Sequence, residues 1–288
     1  MWALFALGAA VLTSFNPILY KRILRDAEAL VVVWGVTLLA LPLLALFTLA
    51  LTSQFPQVDG WFIVSVVSAG GLNVAAHFAS AKALKLQEAS LMTPLLTFSP
   101  VFTLIIAALF LGEIPSARGV LGVGLVVIGA YWLNHSGASW LAPFKSLTLK
   151  PGVALVLLAG LLWAITPLLE KTAIRHTVPE SPRFVAFAVT MLLVLILTPI
   201  VAAQGRQAIG KLSLHRREWL LAACIAGGAP VLGYTAFSLG LVGYVTALFR
   251  LSAVMTVLWA SLFLNERNLP NRLPGSLIMA VGAILIAA

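Results

Sequence analysis

Long apolar runs, separated by short groups of charged residues or by proline and glycine, dominate the chain. A helix of roughly 20 apolar residues crosses the hydrocarbon core of a bilayer. The runs are continuously apolar rather than alternating, and they are too long for strands, so helices are expected and β-strands are not. The pattern predicts ten transmembrane helices, which we call spans 1 to 10, over residues 2–20, 28–52, 60–81, 88–111, 117–134, 152–170, 183–203, 217–240, 244–264 and 272–287.

Composition supports an all-α membrane protein embedded in a lipid bilayer. Of the 288 residues 61% are hydrophobic and only 9% are charged, whereas about 25% of the residues in ordinary soluble domains are charged. Soluble and disordered classes are excluded by these numbers. The single Cys224 has no intrachain partner, which excludes a disulfide scaffold. No cleavable signal peptide is expected, and the polar segments are too short to fold as separate domains.

The net charge of +9 does not indicate a nucleic-acid partner, because the basic residues are scattered between apolar runs. Their distribution instead fits the excess of lysine and arginine in cytoplasmic loops. The loops after the odd-numbered spans hold thirteen basic residues: Lys21, Arg22, Arg25, Lys82, Lys85, Lys145, Lys150, Arg206, Lys211, Arg216, Arg217, Arg267 and Arg272. The opposite side holds four: Arg118, Lys171, Arg175 and Arg183. This count places both termini outside the cytoplasm.

The two halves of the chain resemble each other. The segment "NPILYK" from Asn16 returns as "TPLLEK" from Thr166, 150 positions later, and "LFLGE" ending at Glu113 returns as "LFLNE" ending at Glu266, 153 positions later. We therefore expect a first five-helix repeat over 1–136, a linker over 137–150 and a second repeat over 151–288. Because five spans is an odd number, the second repeat must enter the membrane inverted, a layout that many secondary transporters share.

Glycines also recur at the second offset, which pairs Gly122 with Gly275 and Gly129 with Gly282. Within each half the two glycines are seven residues apart, Gly122 and Gly129 in the first and Gly275 and Gly282 in the second. Small residues let helices approach closely in a membrane, so these glycines predict a close helix contact, either within the bundle or between the protomers of a homodimer.

The segments "SPVFTLIIAALFLGE" (Ser99–Glu113) and "GVLGVGLVVIGAYWL" (Gly119–Leu133) resemble the drug/metabolite transporter superfamily of the ten-span EamA type. The second half repeats them as "SAVMTVLWASLFLNE" and "GSLIMAVGAILIA", with Ala253 and Asn265 where the first half has Pro100 and Gly112. The resemblance implies an inverted 5+5 fold with a central cavity that carries metabolites or drugs across the inner membrane. It also implies cytoplasmic termini, the opposite of the charge count.

Arg250 is the charged residue that lies deepest in a predicted span, within span 9. A charge at membrane depth usually faces a cavity or a partner. We interpret Arg250 as an anchor for a substrate carboxylate or phosphate, and the alternative is a structural arginine that snorkels or binds backbone carbonyls. The repeat matches Arg250 with Thr97 of span 4, which favours exposure of both to the cavity. Resemblance to the phosphate-translocator branch implies a similar role for Lys171, whose alternative is an interfacial lysine.

Span 3 carries Asn73, His77 and Ser80 on one helical face. This face predicts either substrate binding, in which titration of His77 links transport to protons, or hydrogen bonds between helices. Trp163 and Tyr234 are candidates for aromatic walls of the site, as is Trp259, and the alternative for each is an anchor at the membrane interface.

Prolines follow polar residues at matching places in spans 1 and 6, where Pro17 follows Asn16 and Pro167 follows Thr166. A kink there predicts a hinge and brings Asn16 into the candidate binding set. In span 4, Pro94 and Pro100 stand near hydroxyl side chains and predict a broken helix that lines the site. The alternative is a kink that those hydroxyls repair.

The acidic residues that end spans 4 and 9, Glu113 and Glu266, are expected to fix loops or to pair with Arg118 and Arg272. A coupling carboxylate is the alternative. No metal or cofactor is predicted, since no histidine or carboxylate pair stands at ligand spacing within a span and no catalytic motif occurs in a plausible context.

The sequence thus predicts a secondary transporter of the inner membrane rather than an enzyme. Its substrate would be a small polar or amphipathic metabolite, with a preference for one that bears an anionic group, such as an amino acid or organic acid. Alternating access would occur at a pocket between spans 1, 3, 4, 6, 8 and 9. The alternatives are an exporter of lipophilic compounds, an integral-membrane enzyme and a non-transporting subunit.

Overall fold

The structure is a computed structural model, and it describes residues 1–51, 54–86, 95–134, 151–205, 210–264 and 269–288. The predicted linker over 137–150 lies outside these residues, as do Pro94 and Glu266. Helices form most of the described chain: α1 Trp2–Thr13, α2 Asn16–Ile23, α3 Ala29–Leu51, α4 Gly60–Leu86, α5 Ser99–Phe110, α6 Ala117–Asn134, α7 Pro151–Arg175, α8 Pro182–Ala202, α9 Arg216–Leu239, α10 Val242–Phe249, α11 Ser252–Leu264 and α12 Leu269–Ala287.

Within the described ranges, seven segments are long and apolar enough to cross a membrane: Trp2–Ile23, Ala29–Leu51, Gly60–Ala83, Pro151–Arg175, Pro182–Ala202, Arg216–Leu239 and Val242–Trp259. Three shorter apolar helices cover Ser99–Phe110, Ala117–Leu133 and Arg272–Ala287. The prediction of an all-helical, multi-pass membrane protein is confirmed. The count of ten spans in two inverted sets of five stays a prediction.

Within the described residues, predicted spans 1, 4 and 9 are interrupted, and span 4 breaks at Thr97 and Phe98, just before α5 begins at Ser99. Span 1 divides into α1 and α2 at Ser14 and Phe15. Pro17 stands in the first turn of α2, where the backbone N–H that proline lacks would have no partner within the helix. Span 9 divides into α10 and α11 at Arg250 and Leu251. The breaks in spans 1 and 4 lie next to prolines that the sequence analysis singled out, Pro17 and Pro100, whereas the break in span 9 has no proline or glycine to indicate it.

The expectation that the chain has no strands is wrong in one place. Strand β1 (Gln57–Val58) pairs antiparallel with β2 (Thr177–Val178), with Gln57 opposite Val178. Both strands lie in loops outside the predicted spans and have only two residues each, too short for any alternation of polar and apolar residues to reveal them.

The helices pack into two compact units. Unit 1 contains Met1–Val74 and Leu169–Leu239, and unit 2 contains Ala75–Leu168 and Gly240–Ala288. Each unit therefore draws segments from both halves of the sequence. Helices α4 and α7 are divided, so that each contributes one end to each unit.

Apolar packing of α3, α8 and α9 forms the core of unit 1. Trp219, Val36 and Leu197 are almost completely buried there. The indole N–H of Trp34 on α3 donates to the hydroxyl of Thr198 on α8 at 2.9 Å. This bond satisfies a polar group that lies within an apolar helix interface, which would otherwise be costly.

Polar pairs lie at the two ends of α3 in unit 1. At one end, Asp26 lies 2.9 Å from His215, joining Oδ2 to Nε2. At the other end, near the two-stranded ladder, Asp59 Oδ2 lies 2.7 Å from His176 Nδ1. The other oxygen of Asp59 accepts the N–H of Phe62 in the first turn of α4 at 2.9 Å. The bond from Phe62 and, next, the one with His176 lower the pKa of Asp59 below its ordinary value.

Helices α6 and α12 approach closely in unit 2 at the predicted glycines. A Cβ added to Gly129 would lie 2.5 Å from the carbonyl oxygen of Gly275, and one added to Gly122 would lie 2.8 Å from that of Gly282. The predicted close contact thus occurs within the chain. The partners are the repeat-related glycines in reversed order, as expected for two similar helices that cross antiparallel.

The loop between α5 and α6 is fixed to the start of α10. Glu113 is 6% exposed and its Oε2 accepts the backbone N–H of Val242 at 2.7 Å, in the first turn of α10. The hydroxyl of Tyr244 accepts the N–H of Ser116 at 2.8 Å. Glu113 therefore fixes a loop, as expected, and does so by satisfying a helix N-terminus.

Candidate functional site

Two helix breaks meet in unit 2 at positions that the repeat relates. Helix α5 begins at Ser99 after a turn at Thr97 and Phe98, while α11 begins at Ser252 after a turn at Arg250 and Leu251. The offset of 153 positions that relates Glu113 to Glu266 also relates these two turns. At the second turn, Arg250 N–H donates to the carbonyl of Ala247 at 3.0 Å, a tighter pattern than the α-helix has.

Arg250 joins the two breaks directly. Its Nη2 donates a hydrogen bond to the hydroxyl of Ser99, which is 6% exposed. A guanidinium carries five N–H donors, so this bond uses a minority of them. No carboxylate pairs with Arg250 within the ranges that the structure describes.

The neighbouring hydroxyl groups hold the first break in place. Thr103 Oγ1 donates to the carbonyl of Ser99 at 3.0 Å and to that of Ala164 on α7 at 3.1 Å. Thr97, the residue that the repeat matches with Arg250, is 3% exposed. The break is therefore a defined, hydrogen-bonded element of unit 2.

His77 and Trp163 are in contact in the same unit. His77 lies on α4 and Trp163 on α7, with ring centroids 5.4 Å apart and ring planes at 77°. This edge-to-face arrangement is a favourable geometry for two aromatic rings. Both side chains are half-buried.

In unit 1 a carboxyl group that the sequence analysis did not select brings two of the candidates together. Glu170 on α7 is 8% exposed and accepts hydrogen bonds from Tyr234 on α9 and Asn73 on α4. Carboxyl groups within transmembrane segments are rare and costly, and they usually mark a functional site. The cluster is therefore an expensive feature for the fold to keep.

The remaining two candidates also lie in unit 1. Lys171 is 6% exposed, so it is enclosed by protein rather than extended into an interface. The Oδ1 atom of Asn16, at the break between α1 and α2, is buried and has no hydrogen-bond partner among the described residues. A buried acceptor without a partner in this position is available to a donor on a ligand.

The predicted residues thus fall into two groups, one in each unit. The group in unit 2 consists of His77, Thr97, Trp163 and Arg250. The group in unit 1 consists of Asn16, Asn73, Lys171 and Tyr234. A sequence signal for Glu170 existed. Trp163, Thr166 and Glu170 follow the spacing i, i+3, i+7 and share one face of α7.

Long apolar helices, with breaks at buried polar groups, are features that multi-pass membrane proteins of the transporter class share. The family model of the EamA-like transporter family matches residues 1–135 and, a second time, residues 150–288. The chain belongs to this family, which is part of the drug/metabolite transporter superfamily. Two matches, one in each half, agree with the internal repeat.

A solved structure described only as "Crystal structure of protein" is similar in fold, with a TM-score of 0.73. It shares 16% sequence identity and covers 99% of this chain and 98% of its own. At that identity the similarity concerns the fold alone. A comparison with curated proteins found no match.

Proposed function

We propose that the protein is a secondary transporter of the inner membrane that moves a small polar or amphipathic metabolite bearing a carboxylate or phosphate group. Arg250 would hold the anionic group. The family supplies the class of function, since EamA-like proteins are transporters. The observation that carries the choice of substrate is the position of the Arg250 guanidinium at the junction of two helix breaks.

The donors of Arg250 support an anionic ligand. A guanidinium presents a planar fork that matches a carboxylate or phosphate with two parallel hydrogen bonds. The Ser99 hydroxyl fixes one edge of the fork, which orients the group before a substrate arrives. The donors that remain would lose hydration without compensation unless a ligand or water bound them.

Alternating access between two inverted repeats is the mechanism that we propose for the movement itself. Broken helices in transporters supply both binding groups and points of flexing. In this chain, the breaks between α1 and α2 and between α10 and α11 fall in described segments and would absorb backbone rotation. We expect no cofactor to take part in this movement.

A liposome uptake screen tests the proposal. Purified protein would be reconstituted and challenged with labelled amino acids, organic acids, phosphorylated metabolites and organic cations. Arg250→Ala removes a charged hydrogen bond worth about 1.5–3 kcal/mol, so KM for the transported anion should rise roughly 10- to 100-fold. Arg250→Lys keeps the positive charge but loses the planar guanidinium, so its KM should lie between those of the wild type and Arg250→Ala.

Arg118→Ala is the matched control, because Arg118 is an exposed arginine of unit 2 that the proposal does not use. It should transport like the wild type. Gel filtration and thermal melting establish that each variant is folded. Uptake of cations alone by the wild type, with no loss in Arg250→Ala, would refute the anionic assignment.

A further inference from the structure

Glu170 stands out in unit 1 as a buried carboxyl group whose hydrogen-bond partners are neutral. The hydroxyl of Tyr234 and the side-chain amide of Asn73 bind it, from two different helices. It lies on α7, five residues before that helix ends at Arg175. The proposed function, as argued above, gives this group no role.

The helices around Glu170 contribute few other charges. Helices α1 and α3 contain no ionisable side chain, and neither does the part of α4 that belongs to unit 1. The charge on α8 is Arg183 at its start, which donates to the carbonyl of Leu51. Those on α9 also lie at its start, where Glu218 pairs with Arg22 of α2 at 2.8 Å.

Helix α2 ends in further cations, while Lys171 follows Glu170 directly on α7 and is itself buried. Within the described part of the chain, no ion pair joins Glu170 to a cation. Neutral side chains therefore supply the hydrogen bonds that the structure gives this carboxyl group.

Both partners of Glu170 can serve either protonation state. An asparagine amide and a tyrosine hydroxyl each contain a donor and an acceptor. They can donate to the ionised carboxylate, and they can accept from the protonated acid after a rotation. Few charged groups would have to rearrange when the proton arrives or leaves.

We propose that Glu170 binds and releases the proton that is coupled to substrate movement. One O–H bond forms on Glu170 with a proton from water on one side of the membrane, and the same bond breaks to release the proton to water on the other. No electrons are transferred. This inference rests on the proposed function, because coupling requires a transported substrate.

The first experiment needs no substrate. Infrared difference spectra of the purified protein in nanodiscs, recorded against pH 9, should show the C=O stretch of a protonated carboxyl at pH 6. Glu170→Gln should lose this band, whereas Glu218→Gln, which alters a carboxylate paired with Arg22, should keep it. Tyr234→Phe removes a donor to the carboxylate, and the band should then persist to higher pH. An identical band in wild type and Glu170→Gln overturns the proposal.

The second experiment measures protons moved per substrate in liposomes loaded with a pH dye, using the compound that the uptake screen identifies. The wild type and Glu218→Gln should move at least one proton per substrate, and the residual transport of Glu170→Gln should move none. If that variant is inactive, Glu170→Asp decides: a shifted pH profile supports the proposal, and an unshifted one overturns it.

Wild-type transport driven by sodium alone, or without proton movement, also overturns the coupling. Failure of the wild type to transport any compound would instead refute the proposed function. The infrared band separates the two failures, because an identical band in wild type and Glu170→Gln refutes proton binding by Glu170 whether or not transport occurs.

Discussion

The contact between α6 and α12 offers a sharp test of how the repeats pack. Gly129→Ala would add a methyl group 2.5 Å from the carbonyl oxygen of Gly275 and 2.5 Å from Cγ of Met279. The side chain of Met279 can move, but the carbonyl belongs to the backbone of α12. The helices would have to separate by several tenths of an ångström to relieve the overlap.

The expected loss combines two opposing effects. Overpacking a tight interface typically costs about 1–3 kcal/mol, while replacing a helical glycine by alanine gains up to about 1 kcal/mol. A net loss of about 1–2 kcal/mol should lower the melting temperature by roughly 3–6 °C. Gly275→Ala, on the opposite helix, should act in the same direction, because its methyl group would lie 2.8 Å from the carbonyl of Gly129.

Gly124→Ala provides the matched control on the same helix. An added Cβ at Gly124 meets nothing within 4 Å, so the gain in helix propensity should stand alone. Intrinsic tryptophan fluorescence during thermal unfolding in detergent measures all three variants. The close contact would be refuted if Gly129→Ala melted at the same temperature as the wild type. It would also be refuted if Gly124→Ala lowered the melting temperature as much as Gly129→Ala does.

Two further predictions concern side chains that fix loops. Glu113→Ala should lower the free energy of unfolding by about 1–3 kcal/mol, because the buried N–H of Val242 loses its acceptor. Glu113→Gln keeps an acceptor oxygen and should recover part of the lost stability in the same melting assay. Equal losses in Glu113→Ala and Glu113→Gln would contradict the role of Glu113 as the acceptor for Val242. Asp59 stabilises the folded state at neutral pH because its pKa is lower there than in the unfolded chain, and this contribution disappears as the pH falls below 3.8 and through the lowered value. Melting temperatures of Asp59→Asn should therefore depend less on pH in that acidic range than those of the wild type, and parallel curves would be inconsistent with it.

Much of the fold could be predicted from the sequence because a bilayer imposes a length and a composition on each span. The predicted span 5, over 117–134, coincides with α6, and span 2, over 28–52, differs from α3 by one residue at each end. The glycine pairs were found because sparse residues that match at one offset are improbable by chance. In each case the sequence itself contains the signal, as the composition of one segment or as a match between the two halves.

The helix break at Arg250 and the Glu170 cluster depend on tertiary contacts instead. The turn at Arg250 contains no proline or glycine, and its hydrogen bond to Ser99 spans 151 positions. Glu170 looked like part of the repeated segment "TPLLEK", near the polar end of span 6, and its partners come from two other helices. The spacing of Trp163, Thr166 and Glu170 along α7 indicates a shared helix face, but it does not reveal which residues of other helices meet that face.

The claim that the two halves cross the membrane in opposite directions has a direct test in unit 1. Arg25 follows α2, and Arg175, 150 positions later, ends α7; both are exposed. The residues that neighbour them, Asp26 and His176, belong to the polar pairs at opposite ends of α3. The 23 residues of α3 extend about 34 Å, enough to cross the core of a bilayer.

Single cysteines at these two positions, in a Cys224→Ser background, would be labelled with a membrane-impermeant maleimide on intact and on permeabilised cells. The inverted repeat predicts that one of Arg25→Cys and Arg175→Cys reacts in intact cells and that both react after permeabilisation. The charge count predicts that Arg175→Cys is the one labelled from outside, and the family resemblance predicts Arg25→Cys. Labelling of both, or of neither, in intact cells would contradict the inverted architecture on which the proposed transport mechanism depends.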